Sequence, residues 1–370
     1  MKQKVAYLIG AGATQGVLDY LKMDKRLTNE AIKDELTKYL SDNRNLDVGW
    51  VRNIIGSEID IERLITICET SGSSRYVKVA EKLKSLYQKV IEERMIELDK
   101  QSDGKGTELL LPMLDMHQIS GINEKLTVIL TTNYEDLIEQ AMQKVFGGIN
   151  YSFTCKSDKT KYIILEKVPP ILKLHGSFNW RSDYPISLIS TTDPQDEHLW
   201  IPPGLEKRKD YYPFNVVWGR AKELLDCDIL RVIGSSLSQN DWDLISLIAT
   251  TQNLKTTSVK PYKIEIISRP GTLKRIKDDH GYLNLTGLGE MPEIRDYVWR
   301  TYFSAAEGKS VEPKIDEMLS SDDKITEMRN PFAFWLRAKG EYLSNIGKPI
   351  NTKNGYFKDF VKREMNEMTK

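Results

Sequence analysis

Two kinds of spacing alternate along the chain. Five short runs are apolar almost throughout and close on glycine or a polar residue: VAYLIG at 5–10, LTVILTTN at 126–133, ILKLHGSF at 171–178, DILRVIGSSL at 228–237 and YKIEIISRP at 262–270. Runs this short, rich in branched residues and without polar alternation, predict parallel strands buried on both faces. Between the first run and the second, from Val17 to about Ser120, apolar residues recur instead every three to four positions, near Thr28–Leu40, through IDIERLITI and along 75–98. In the last of these, Tyr76, Val79, Leu83, Leu86, Val90, Ile91, Met95 and Leu98 fall on one stripe, the mark of a helix face turned to a core. The segments YEDLIEQAMQKVF and DWDLISLIATTQ, which follow the second and fourth strand runs, have the same helical period. Strand alternating with helix predicts an α/β fold, a doubly wound Rossmann-like parallel sheet, here with a large helical insertion at about 17–120. In such sheets ligands collect beyond the carboxyl ends of the strands.

The pattern changes past Phe303. SAAEGKSVEPK reads as a connector, and DEMLSSDDKITEMR and PFAFWLRAKGEYL as helical segments, which divides the chain into a main domain at 1–305 and a helical C-terminal appendage at 306–370. Phe332, Phe334 and Trp335 in the appendage either cover the main core or dock a partner.

Composition narrows the classes. Of the 370 residues 40% are hydrophobic, enough for a sizeable core, and Lys+Arg equals Asp+Glu at 53 each, so no overall positive field announces nucleic acid. The local basic stretches LEKRKD and LKRIKDD read as solvated faces, with nucleic-acid contact as the alternative. Cys68, Cys155 and Cys227 are scattered without a Cys-x-x-Cys pair, which argues against structural zinc and disulfides and for reduced thiols. The first apolar run ends in glycines rather than a cleavage site and no run reaches membrane-spanning length, so a soluble, cytoplasmic protein is expected.

Candidate chemistry sits at the strand ends. GAGAT at 10–14 offers glycines where a tight turn and a helix N-terminus bring backbone amides to a phosphate. The Gly10, Gly12, Gly16 spacing is not the usual dinucleotide fingerprint, and helices follow where a second strand with a ribose-binding acid belongs, so an ordinary dehydrogenase is not expected. Asn133 stands at the end of the second run, either as a helix cap or as a carboxamide for a ligand. His175, one of four histidines, ends the third run, either as a hydrogen-bonded structural residue or as a general base near neutral pH.

In order, GAG, T-x-N-x-acid, K-L-H-G and G-x-S-x-x-x-x-D followed by a strand ending in serine resemble the sirtuin family, and within it the sirtuin-like domains of bacterial anti-phage defence, over roughly residues 1–300. The resemblance implies that Gly10, Ala11, Gly12 and Thr14 form a phosphate-binding turn and that Ser235 and Ser236 form a second loop facing NAD. It implies further that Asn133 lies beside the nicotinamide ribose and that His175 is the catalytic histidine. Ser268 matches a position at the adenosine ribose, and Asp60 and Glu62 resemble an acidic motif of the defence-type domains. Glu135 stands where the family more often has Asp for its nicotinamide contact. Deacylating members carry a four-cysteine zinc module that this chain cannot supply, so no metal is expected and deacylation is disfavoured. The implied activity is cleavage of NAD, as substrate, by a defence effector held inactive until triggered. The implied partners are further copies of the chain and a HerA-type ATPase. A non-catalytic module sensing NAD or ADP-ribose, or a nuclease subunit regulating a partner ATPase or helicase, is the alternative.

Overall fold

The computed structural model describes residues 2–21, 60–102, 105–157, 162–183, 185–189, 198–205, 207–254, 262–268, 270–281, 330–345 and 349–368, with single positions 23, 34 and 283. The helix expected near Thr28–Leu40, apart from Asp34, the segment 316–329 and the boundary expected at 305/306 lie outside them.

The described elements begin with β1 (Gln3–Ile9) and α1 (Ala11–Tyr20), then α2 (Ile61–Thr70), α3 (Ser74–Ser102), α4 (Leu110–Asp115) and β2 (Glu124–Thr131). After α5 (Leu137–Phe146) come five short strands, β3 (Cys155–Lys156), β4 (Ile171–Lys173), β5 (Gly176–Arg181), β6 (Ile186–Leu188) and β7 (His198–Trp200). The chain continues through α6 (Phe214–Leu224), β8 (Ile229–Ile233), α7 (Trp242–Leu254), β9 (Lys263–Ile267) and α8 (Pro270–Asp279), and α9 (Pro331–Asn345) and α10 (Tyr356–Met368) follow.

All five apolar runs contribute to one five-stranded sheet, ordered β4-β2-β1-β8-β9, and every pairing in it is parallel. Val5 to Ile9 in β1 and all of β8 are buried, as central strands between two helical layers require. From β1 the chain winds outward to β2 and β4, and from β8 outward to β9, so the winding reverses between β1 and β8. This switch point is where a crevice opens at the carboxyl ends of a doubly wound sheet.

α1 runs through Val17 to Tyr20, and α2 and α3 of the insertion pack against each other. The sequence reading departs from the structure at one place. ILKLHGSF is not one strand: β4 ends at Lys173, Leu174 and His175 turn, and β5 starts at Gly176 in a second, four-stranded sheet ordered β3-β6-β5-β7. Gly176 makes the break possible, because its φ is +77° and a Cβ there would lie 2.4 Å from the Leu199 carbonyl oxygen.

The stripe on α3 is a core face as expected, with Val79, Leu83, Leu86, Val90, Ile91, Met95 and Leu98 buried and Tyr76 packed at its margin. α9 buries Phe332 and Trp335, and α10 buries Phe357 and Phe360. Beneath α9 the fully buried Arg231 of β8 meets both Glu124 oxygens at 2.8 Å and the Glu265 carboxylate, with Lys339 of α9 2.9 Å from Glu124. The Arg231 guanidinium also lies 5.4 Å from the centre of the Trp335 ring.

Candidate nucleotide site at the switch point

The loops after β1 and β8 interlock. Gly10 donates its amide hydrogen to the Ile233 carbonyl at 3.0 Å and Gly12 donates to the Gly234 carbonyl at 2.8 Å. A Cβ on Gly12 would lie 2.6 Å from the Gly234 oxygen, and one on Gly234, whose φ is +61°, 2.0 Å from the Ala13 nitrogen. These glycines let two backbones touch, and the Gly12 amide is committed to that contact rather than free for a phosphate. Ala11 and Gly12 are nevertheless exposed at the N-terminus of α1, whose first turn holds no acidic residue. The positive end of that helix therefore faces the crevice, with the Glu135 carboxylate bonded to Thr14 at its start. Ser235 and Ser236 are half-buried on the opposite loop, where the Ser235 hydroxyl accepts the Leu237 amide at 3.2 Å. Ser268, half-buried, ends β9 one strand further out.

The loop after β2 is built around a buried carboxylate. Glu135 Oε1 accepts from the Thr14 hydroxyl and, at 2.9 Å, from Asn133 Nδ2, which also donates to Thr14 Oγ1 at 3.1 Å. The Thr131 hydroxyl donates to the Ile9 carbonyl at 2.8 Å and accepts the Asn133 amide at 3.0 Å, which ties the same loop to β1. Asn133 is no helix cap: α5 starts at Leu137 with Asp136 before it. Asp136 is occupied elsewhere, by the Tyr162 hydroxyl and by Gln140. With Nδ2 fully used, Asn133 Oδ1 is left buried and without a hydrogen-bond partner among the described residues.

His175 reaches the site from the turn after β4. Lys173, also buried, holds the neighbouring loop in place by donating to the Tyr134 and Glu135 carbonyls and to Glu139, while the Ser177 hydroxyl donates to the Tyr134 carbonyl. The His175 carbonyl accepts the Ile201 amide at 2.7 Å, and its ring lies 6.4 Å from that of Tyr134. His175 Nε2 is 3.5 Å from Asp241 Oδ1, too long for a good hydrogen bond, and neither atom has a hydrogen-bond partner among the described residues. Burial lowers the His175 pKa, with Asp241 acting against it, so the imidazole is neutral at neutral pH and able to accept a proton. Burial alone would raise the Asp241 carboxyl, but His175, then Lys207 and Lys209, bring it below its ordinary value.

The start of α2 in the insertion meets the loop after β8 at this end of the sheet. Asp60 caps α2 through the Glu62 amide at 2.8 Å and accepts from Asn240, the residue before Asp241. Arg63 donates to the same Asn240 side chain at 3.3 Å. Glu62 Oε2 lies 3.8 Å from Lys207 Nζ, and burial, reinforced by Asp60 and Asp241 and opposed by Lys207, pushes its carboxyl up to about 7.

The structure thus brings Gly10, Ala11, Gly12, Thr14, Asn133, Glu135, Ser235 and Ser236 to the ends of the three central strands β2, β1 and β8, with His175 beside them after β4. Asp60 and Glu62 reach the same end through Asn240 and Asp241. Sequence reasoning left Asp241, Lys173 and Lys207 without roles: the first two lie inside motifs it quoted, whereas Lys207 sits in a stretch read as a solvated face. Among the described residues no group of three or more His, Cys, Asp or Glu side chains is placed to hold a metal ion, and no helix is long and apolar enough to cross a membrane. Cys68 and Cys227 are buried thiols and Cys155 is half-buried.

Residues 127–277 match the family model of the SIR2-like domain. The match runs from β2 into α8, containing Asn133, Glu135, His175, Ser235, Ser236 and Ser268, and stops short of the GAGAT turn and of Asp60 and Glu62. No curated protein matches the chain. The chain therefore carries a sirtuin-like domain on a Rossmann-like sheet, and domains of this kind use NAD.

Proposed function

We propose that this sirtuin-like domain is an NAD glycohydrolase, splitting NAD into nicotinamide and ADP-ribose. The observation that carries the reading is the pair of buried polar atoms without hydrogen-bond partners among the described residues, Asn133 Oδ1 and His175 Nε2, at the end of the sheet where the exposed N-terminus of α1 also lies. Buried polar atoms ordinarily find partners, and a sugar hydroxyl or a water held against it would supply them. The exposed N-terminal end of α1 and the Ser235 and Ser236 hydroxyls suit a pyrophosphate and a ribose.

In this reading Asn133 orients the nicotinamide ribose and the attacking water, its carboxamide set by Thr14 and Glu135. The bond between the ribose C1' and the nicotinamide nitrogen breaks, and its electron pair leaves on nicotinamide. The water oxygen bonds to C1', and the neutral His175 imidazole takes the water's proton. The transition state resembles an oxocarbenium ion, so fixed ribose geometry supplies much of the acceleration. The defence role, self-association and a HerA-type ATPase partner belong to the same proposal and rest on the resemblance of the motifs.

The test is chromatography of nicotinamide and ADP-ribose after incubation of the purified chain with NAD, alone and with a candidate ATPase. Asn133→Ala and His175→Ala are each expected to lower nicotinamide release about a hundredfold or more while NAD still binds. Binding of NAD by the wild-type chain with no release under either condition would instead make it a nucleotide-sensing module.

A further inference from the structure

Asp241 is the residue just ahead of α7, where an aspartate ordinarily accepts the first free amides of the helix. Here its Oδ1 is buried without a hydrogen-bond partner among the described residues, and His175 Nε2 lies 3.5 Å from it. The loop that carries it is fixed from three sides. Its amide donates to the Ser238 carbonyl at 2.9 Å, the neighbouring Asn240 is held by Asp60 and Arg63 of the insertion, and His280 holds the Leu237 carbonyl where φ is +45°. A carboxylate on a loop fixed in this way, beside a buried imidazole, favours the ring once it is protonated.

We propose that Asp241 acts through His175. Its carboxylate, 3.5 Å from Nε2, stabilises the positive charge that His175 gains when it takes the proton from the attacking water. No proton passes to Asp241 itself; the imidazolium returns it to solvent after nicotinamide and ADP-ribose leave. The role rests on the hydrolase reading above, whereas the 3.5 Å contact itself does not. The charges facing His175 are Asp241, Lys207 and Asp243, and those facing Asp241 are His175, Lys207, Lys209 and the carboxyl of Glu62, so His175 first and then the two lysines hold the Asp241 carboxyl below its ordinary value.

The test compares wild type with Asp241→Asn, which keeps a good helix cap and removes the charge, and with Asp241→Glu, which restores it. Two readouts are taken: kcat and KM for nicotinamide release across pH, and the titration midpoint of the His175 imidazole followed by NMR. Asp241→Asn is expected to lower kcat roughly tenfold or more with KM within about twofold. It is also expected to move both the His175 midpoint and the acid limb of the rate profile to lower pH, with partial recovery in Asp241→Glu. An Asn variant with wild-type kcat, or with an unmoved His175 midpoint, overturns the proposal. Should the wild-type chain itself release no nicotinamide, the hydrolase reading fails, and the NMR midpoint alone decides whether Asp241 and His175 are paired.

Discussion

At the scale of single residues the site is organised by carboxylates whose surroundings differ. Glu135 accepts from Thr14 and Asn133 and so joins the loop after β1 to the loop after β2. Thr14→Val keeps the shape and removes one donor from a buried carboxylate, which should cost about 1–3 kcal/mol in urea unfolding and loosen Asn133. Glu62 is a separate case, because burial raises its carboxyl from 4.5 to about 7. Between those two values the unfolded chain has lost the proton that the folded chain still holds. Stability from this group is therefore intact below about 4.5 and falls as pH rises towards 7, by at most roughly 3 kcal/mol. Glu62→Gln should accordingly raise the melting temperature much more at pH 8 than at pH 5, as calorimetry at the two values would measure. Asn133 and His175 were legible in the sequence because each ends an apolar run. The partners that set their geometry were not, since Thr14, Asp241 and Lys207 come together only through chain crossings of more than thirty residues.

At the scale of elements the five central strands were readable because burial on both faces leaves a continuous apolar run. The second sheet was not, because its strands are two, three or six residues long and too short to display a period. What joins the two sheets is the turn at His175 and Gly176. Gly176→Ala would force a side chain into a left-handed backbone and against the Leu199 carbonyl and the Trp200 backbone. Both are main-chain groups of β7 that cannot swing aside as a side chain would. The expected loss exceeds about 2 kcal/mol, and the displaced turn should carry His175 out of the site. Chemical denaturation measures the first effect, and nicotinamide release under conditions where the variant stays folded measures the second.

At the scale of the whole molecule, the helices beyond the sirtuin-like match determine whether the sheet is covered. Phe332, Trp335 and Leu336 of α9 and Phe357, Phe360 and Val361 of α10 are all buried. At roughly 1.5–3 kcal/mol for each side chain, their contribution is comparable to the entire stability margin of a domain, about 5–15 kcal/mol. Polar ties bind the same helices to the rest. Asn330 donates to the Gly16 carbonyl of α1, Asp115 of α4 accepts the Phe357 amide at 2.9 Å, and Lys339 completes the buried cluster around Glu124 and Arg231. Removing α9 would leave Arg231, Glu124 and Glu265 facing water on a sheet that now presents Tyr7 and its apolar neighbours. A chain ending at residue 329 should therefore lose its cooperative thermal transition and bind a hydrophobic dye, even though every candidate site residue is retained. A truncated chain that melts cooperatively within a few degrees of the full one would show instead that α9 and α10 are dispensable to the sheet. The milder Lys339→Met, which keeps the apolar cover and removes one charge from Glu124, should cost about 1–3 kcal/mol in the same measurement. That ordering follows from α9 contributing mainly by covering the sheet and only secondarily by pairing charge.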